Sequence, residues 1–228
     1  ILSFNFSFNI IMNMIVALNF KAFRELIGYN SIRVIRKIDK RFKNISVIAI
    51  INPADISLVS MIKRKNLKIY VSLNRYCETY GSFTGCVPLD YIKEIGIDGV
   101  LLNHYENRID LKTIKQFIEY CKKVNLETMV CAKNLKEAKK IDRLNPNSIA
   151  YEVPELIGSG KAISKYKAES LKKFVKIVRN IPICGAGISE AIDVKIAKEL
   201  GVKGVLIASA FAKAKNKLEF LNQIDKIL

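Results

Sequence analysis

The chain has 228 residues, 50% of them hydrophobic, which is enough for one well-buried domain and for a single barrel of alternating strands and helices. Its five cysteines, Cys77, Cys86, Cys121, Cys131 and Cys184, are odd in number, with neither C-x-x-C nor metal-ligand spacing. This excludes a disulfide-stapled or zinc-built fold and points to a reducing cytoplasm, with no metal and no cofactor. The formal charge of +17 would attract any polyanion, but its basic residues are spread along the chain, as at Arg33, Arg36, Lys37, Lys40 and Arg41, then Lys172, Lys173 and Lys176. Their spacing suits solvated helix faces and lacks the aromatic-plus-basic strip of single-strand binders, so no nucleic-acid partner is expected.

In chain order, Ile1 to Leu18 is uncharged and invites comparison with a signal or membrane segment. Asn5, Asn9 and Asn13 interrupt it, no basic stretch precedes it, and no small-residue cleavage site follows, so neither a membrane span nor a leader is expected. Met12 and Met14 offer natural starts. Residues 1 to 11 are therefore expected to be an upstream extension outside the fold, with the domain running from 12 to 228.

From Met14 onward, short β-branched runs alternate with longer stretches of helical period, the pattern of βαβ units on a parallel sheet. The expected strands are Ile15–Leu18, Val47–Ile51, Lys68–Ser72, Gly99–Leu102, Thr128–Cys131, Ser148–Tyr151, Ile183–Cys184 and Gly204–Ile207. Helices are clearest over Leu111–Val124, Leu135–Leu144, Ser170–Val178, Ser189–Leu200 and Leu218–Ile227. Eight such pairs, with no G-x-G-x-x-G after the first strand, predict an α/β fold of the (βα)8 barrel type rather than an open dinucleotide-binding sheet.

In such a barrel the working residues stand at the C-terminal ends of strands. There the sequence offers Asn19, Phe20 and Lys21 after strand one, His104 to Arg108 after strand four, and Glu152 to Gly160 after strand six. Gly185 to Gly187 follow strand seven, and Ala208 and Ser209 follow strand eight. A lysine, a histidine and a carboxylate at one mouth can move a proton beside a carbonyl, and the last two segments supply backbone N–H groups for a phosphate. Taken singly, a lone histidine is commonly structural, Lys21 a surface residue, Glu152 a loop acid and Gly158-Ser159-Gly160 a flexible turn. Their joint placement favours a phosphate-ester, carbonyl-chemistry site.

Six segments in register resemble the triosephosphate isomerase family, particularly its short archaeal branch, over residues 14 to 228: Leu18–Lys21, Gly81–Gly85, Leu102–Glu106, Glu152–Gly160, Cys184–Ser189 and Leu206–Ser209. The resemblance implies a TIM barrel that interconverts dihydroxyacetone phosphate and D-glyceraldehyde 3-phosphate in glycolysis and gluconeogenesis. It makes Glu152 the base, His104 the electrophile and Lys21 a fixed cation. It places Asn19 and Phe20 beside Lys21 at the substrate, Glu106 as the acid after the histidine, and Ile157, Gly158, Gly187, Ala208 and Ser209 around the phosphate. A neutral imidazole beside a carboxylate base is this family's established pairing, and a helix N-terminus after strand four is expected to disfavour the imidazolium. Val153 to about Gly160 matches the family's lid. Gly81–Gly85, with Thr84 near its tip, matches a loop that enters a second subunit, so a dimer or tetramer is implied.

Four positions depart from the family pattern. Val153 replaces the proline after the base and is expected to loosen a hinge. Tyr105 places bulk against the site floor, Asn107 replaces an arginine although Arg108 remains, and Leu73 replaces a glutamine. Two other readings stand beside this one: another phosphate-binding barrel such as a ribulose-phosphate epimerase, for which one histidine is poor metal-site material, and a basic phosphate-binding barrel without turnover that binds nucleic acid or acts as a scaffold.

Overall fold

A computed structural model describes residues 13–156 and 162–228. The extension expected over residues 1–11 and the lid positions Ile157 and Gly158 lie outside the described residues. Eight parallel strands close into a barrel: β1 Met14–Asn19, β2 Ile45–Ile51, β3 Lys68–Ser72, β4 Gly99–Leu102, β5 Glu127–Ala132, β6 Ser148–Glu152, β7 Ile181–Gly185 and β8 Gly204–Ile207. Each pairs with its sequence neighbours, and β1 closes the ring by pairing with both β2 and β8.

Around them run α1 Tyr29–Ile38, α2 Ile56–Val59, α3 Leu89–Glu94, α4 Leu111–Lys123, α5 Leu135–Asp142, α6 Ile163–Tyr166, α7 Ala168–Ile177, α8 Ala191–Glu199, α9 Ser209–Lys213 and α10 Lys217–Ile227. Expected boundaries hold to within two residues, and the differences have local causes. Asn125 and Asn145 adopt φ of 55° and 57° beyond α4 and α5, a left-handed conformation that asparagine tolerates and that closes a helix. The helix expected from Ser189 starts at Ala191 because the Asp193 carboxylate accepts both the Ser189 and Glu190 N–H groups at 3.0 Å, leaving those two residues as the cap.

The strands read as continuous apolar runs because both faces are buried. Ala17, Ile48, Ile50, Leu101, Met129, Ala150, Ile183 and Leu206 fill the barrel, while Val16, Val47, Ile69, Val100, Val130 and Val205 lie under the helices. Gly99 has no room for a side chain, since a Cβ there would sit 2.5 Å from the Glu127 carbonyl oxygen and 2.8 Å from the Tyr70 ring. That ring fills the barrel base, where Glu127 accepts a hydrogen bond from the Tyr70 hydroxyl and pairs with Lys68 Nζ at 2.6 and 2.8 Å. Burial, then the Glu127 hydrogen bond and charge, push the Tyr70 phenol well above its ordinary value, and Lys68, Tyr70 and Glu127 line a cavity of about 360 Å³ at this end.

A short parallel ladder of Tyr76–Cys77 with Val87–Pro88, which the sequence pattern did not reveal, pins the base of the loop that carries Thr84. The loop tip is exposed, Phe83 included. Among the described residues no helix is long and apolar enough to cross a membrane.

Candidate active site

The C-terminal mouth of the barrel opens into a cavity of about 430 Å³ whose lining includes Asn19, Lys21, His104, Glu106 and Glu152. Asn19 is the last inward-facing residue of β1, and its side-chain oxygen accepts the Lys21 N–H at 3.2 Å. Lys21 takes φ of 48°, and Asn52 Nδ2 donates to its carbonyl at 3.0 Å, so two side chains hold an otherwise costly backbone conformation. Its Nζ reaches Glu106 Oε1 at 2.7 Å across the mouth. Phe20 is not in the lining: the strand period turns it outward, where it is fully buried and stacks on Phe211 at 6.1 Å. There its ring anchors the segment that carries Asn19 and Lys21.

His104 enters the mouth through a break in strand alternation. The β4 period would send it toward the helices, but Asn103 adopts φ of 60° and reverses it. That conformer is pinned on every side. Asn103 Nδ2 donates to the Cys131 carbonyl at 2.9 Å, its Oδ1 accepts from Ile109 N at 3.1 Å, and Arg108 donates to its carbonyl at 2.9 Å while pairing with Glu137. His104 Nδ1 then accepts the Glu106 backbone N–H at 3.2 Å. An accepting Nδ1 carries no proton, so the ring is the neutral Nε2–H tautomer. Glu106 Oε2 is farther, 3.5 Å from Nδ1, and its carboxylate is already held by Lys21.

The helix N-terminus expected after strand four is absent. The chain turns at Tyr105 and Glu106, and α4 begins only at Leu111 behind its Asp110 cap. One turn amide, not a helix end, selects the neutral ring. Tyr105 is also not on the site floor: it is 48% exposed and outside the cavity lining.

Glu152 is the last residue of β6, buried to 5% exposure, with Oε1 3.4 Å from His104 Nε2. Burial, the largest single influence, raises its pKa; the His104 hydrogen bond, the Cys131 thiol and the Lys21 charge oppose it, and the carboxyl lies below its ordinary value. The same carboxylate, after burial itself, pushes the wholly buried Cys131 thiol upward and keeps it protonated. Glu152 Oε2 has no hydrogen-bond partner among the described residues, an unusual state for a buried oxygen. Gly185 lies alongside, where a Cβ would stand 3.2 Å from Glu152 Cγ.

The far wall comprises Ala186 to Ser189, Leu206, Ala208 to Ala210 and Lys213. Ala186 and Gly187 adopt φ of 79° and 72°, and β8 passes at once into α9, so this wall carries small residues and turned backbone. Gly187, Ala208 and Ser209 therefore stand where the sequence placed them, while Ile157 and Gly158 fall outside the described residues. Sequence reasoning missed Phe23, Cys131 and Lys213. The inward parity of β5 was a signal for Cys131, and the helical period after Ser209 was one for Lys213. Among the described residues, no group of three or more His, Cys, Asp or Glu side chains could hold a metal.

The sequence model of triosephosphate isomerase matches residues 14–225. The chain belongs to the triosephosphate isomerase family. A triosephosphate isomerase of Methanocaldococcus jannaschii is 34% identical over 94% of this chain and the whole of its own length. That of Pyrobaculum calidifontis is 34% identical over 94% of this chain and 96% of its own, and that of Methanobrevibacter smithii 35% identical over 91% and 95%.

In that light the family departures take on definite structural roles. Val153 is buried in the outer core and accepts the Leu156 N–H at 3.0 Å, and Pro154 opens the single 3-10 turn Pro154–Leu156. The proline of this hinge is Pro154, at a helix-start position where its missing N–H costs nothing. Leu73 is buried, its N–H bonded to the Leu101 carbonyl. Asn107 donates its backbone N–H to the His104 carbonyl at 2.9 Å, and the clamp on the histidine loop falls to Arg108.

Two outcomes follow from this geometry. The 13C titration of Glu152 in the substrate-free protein should have its midpoint below the ordinary 4.5. His104→Ala should raise that midpoint, because burial then loses its main opponent; a lower or unchanged midpoint would contradict the balance described. Gly185→Ala should cut kcat roughly ten- to a hundred-fold with little change in KM, since displacing the Glu152 side chain by a few tenths of an ångström spoils alignment rather than binding. Steady-state kinetics would show it.

Proposed function

We infer that the barrel interconverts dihydroxyacetone phosphate and D-glyceraldehyde 3-phosphate through an enediolate, with no cofactor. The observation that carries this reading is the pairing at the mouth: an ionised Glu152 with one free oxygen beside the Nε2–H of a neutral His104. Glu152 takes a proton from the carbon next to the carbonyl as His104 donates to the carbonyl oxygen, and returning the proton to the neighbouring carbon completes the exchange. A neutral imidazole gives and regains its proton without forming a buried cation. Lys21 and the Asn19 amide face the oxygens on which charge develops, in a site already partly closed to water.

The phosphate is assigned to the small-residue wall of Gly187, Ala208 and Ser209, the usual place after the last two barrel strands, with Ile157 and Gly158 closing over it from the lid. Glycolysis and gluconeogenesis are the reaction's setting. Free thiols at all five cysteines agree with the cytoplasm. A barrel without turnover that binds nucleic acid is not favoured, because the complete proton-transfer pair would then have no use.

Exposed Phe83 lies within the Gly81–Gly85 loop and exposed Tyr80 precedes it, and we assign this loop to a homo-oligomer contact, as dimer or tetramer, with Thr84 at the interface.

Isomerase assays with glyceraldehyde 3-phosphate should find an active parent and losses of about a hundred-fold or more in both Glu152→Gln and His104→Ala. An inactive parent that is folded would overturn the reading. Sedimentation velocity should find a dimer or tetramer, dissociated by Thr84→Arg. A monomeric parent would remove the interface assignment and leave the chemistry untouched.

A further inference from the structure

We propose that Lys213 is a direct phosphate-binding cation of this site, and that it supplies the positive charge a dianionic phosphomonoester needs there. The inference rests on the reading above only in taking a phosphate ester as the ligand. It comes from the charges around the cavity. Among the described residues, the charged side chains that line it are Lys21, Glu106, Glu152 and Lys213. Lys21 is bound to Glu106 at 2.7 Å, Glu152 is ionised, and His104 is held neutral by the Glu106 N–H. Without Lys213 the described lining would hold one lysine against two carboxylates, and a phosphate dianion would enter against it.

Lys213 is placed and free to act. It lies four residues after Ser209 in α9, hence on the same face of the helix, and lines the same cavity as Ala208, Ser209 and Ala210. It is exposed and has no hydrogen-bond or ion-pair partner among the described residues. The nearby Lys217 is not available for the task, because its Nζ is folded back onto the Ala212 and Ala214 carbonyls at 2.7 and 2.6 Å. Those same bonds satisfy the end of α9, so Lys213 is not needed as the helix's terminal cation. A chain with 38 basic residues has cations to spare; the point is that this one, unlike Lys21, reaches the cavity without a carboxylate of its own.

Calorimetric titration with glycerol 3-phosphate, which has the phosphate but no carbonyl, tests this without requiring turnover. Lys213→Gln should weaken binding about ten-fold at low ionic strength, with the difference shrinking as salt is added, and Lys213→Arg should retain most of the affinity. Lys215→Gln is the control for loss of a nearby charge outside the cavity, and its dissociation constant should stay within about two-fold of the parent's. Equal weakening by the two glutamine variants, or none in Lys213→Gln with its melting temperature unchanged, would overturn the proposal. So would a parent that does not bind the ester. Binding that depends on Lys213 in a parent without isomerase activity would sink the assigned reaction and leave the phosphate cation standing, whereas full turnover with an indifferent Lys213 would do the reverse.

Discussion

Closing eight parallel strands into a ring forces every strand to bury both faces, and this constraint organises everything else. Inward residues must fill the barrel, outward residues must seat the helices, and only the last position of each strand escapes into the mouth. Asn19, Glu152 and Gly185 are such last positions. Side chains that are polar, or missing, are tolerated there because the apolar packing has ended. The opposite end shows the contrast, with Lys68, Tyr70 and Glu127 satisfying one another by hydrogen bonds.

Much of this was readable from the alternation of short and long hydrophobic periods. All eight strands and the five clearest helices follow from it, and strand-end positions led directly to Asn19, Lys21, His104 and Glu152. Two expected placements fail, one where the strand period went unused and one where backbone conformation overrides it. Phe20 was grouped with its polar neighbours, although the strand period carries it outward onto Phe211. Tyr105 was expected on the floor, but the turn that brings His104 inward also swings Tyr105 into solvent. The second case rests on a left-handed asparagine, a residue type that tolerates that conformation, and on a single turn amide, which has no signature in residue type.

The site is sustained by a division of labour among groups that do not meet substrate. Asn103, Arg108 and Glu137 hold the histidine loop, the Glu106 amide fixes the proton on the ring, and Cys131 and Gly185 bound the base from beneath and beside. A missing atom is as necessary as a present one here: a methyl group at Gly185 would press on the carboxylate that must remain free. The burial that would neutralise Glu152 is offset by neighbours the fold was already obliged to position, so ionisation of the base is tied to correct closure of the mouth.

His104 is the only histidine in the chain. The protein therefore carries an internal spectroscopic reporter: every imidazole resonance comes from the cavity at the barrel mouth, with no assignment problem and no background. Nitrogen shifts of the one ring would distinguish its two tautomers and its cation directly, and reagents selective for imidazole would address a single atom pair in 228 residues. A site usually observed through turnover can in this chain be watched at rest.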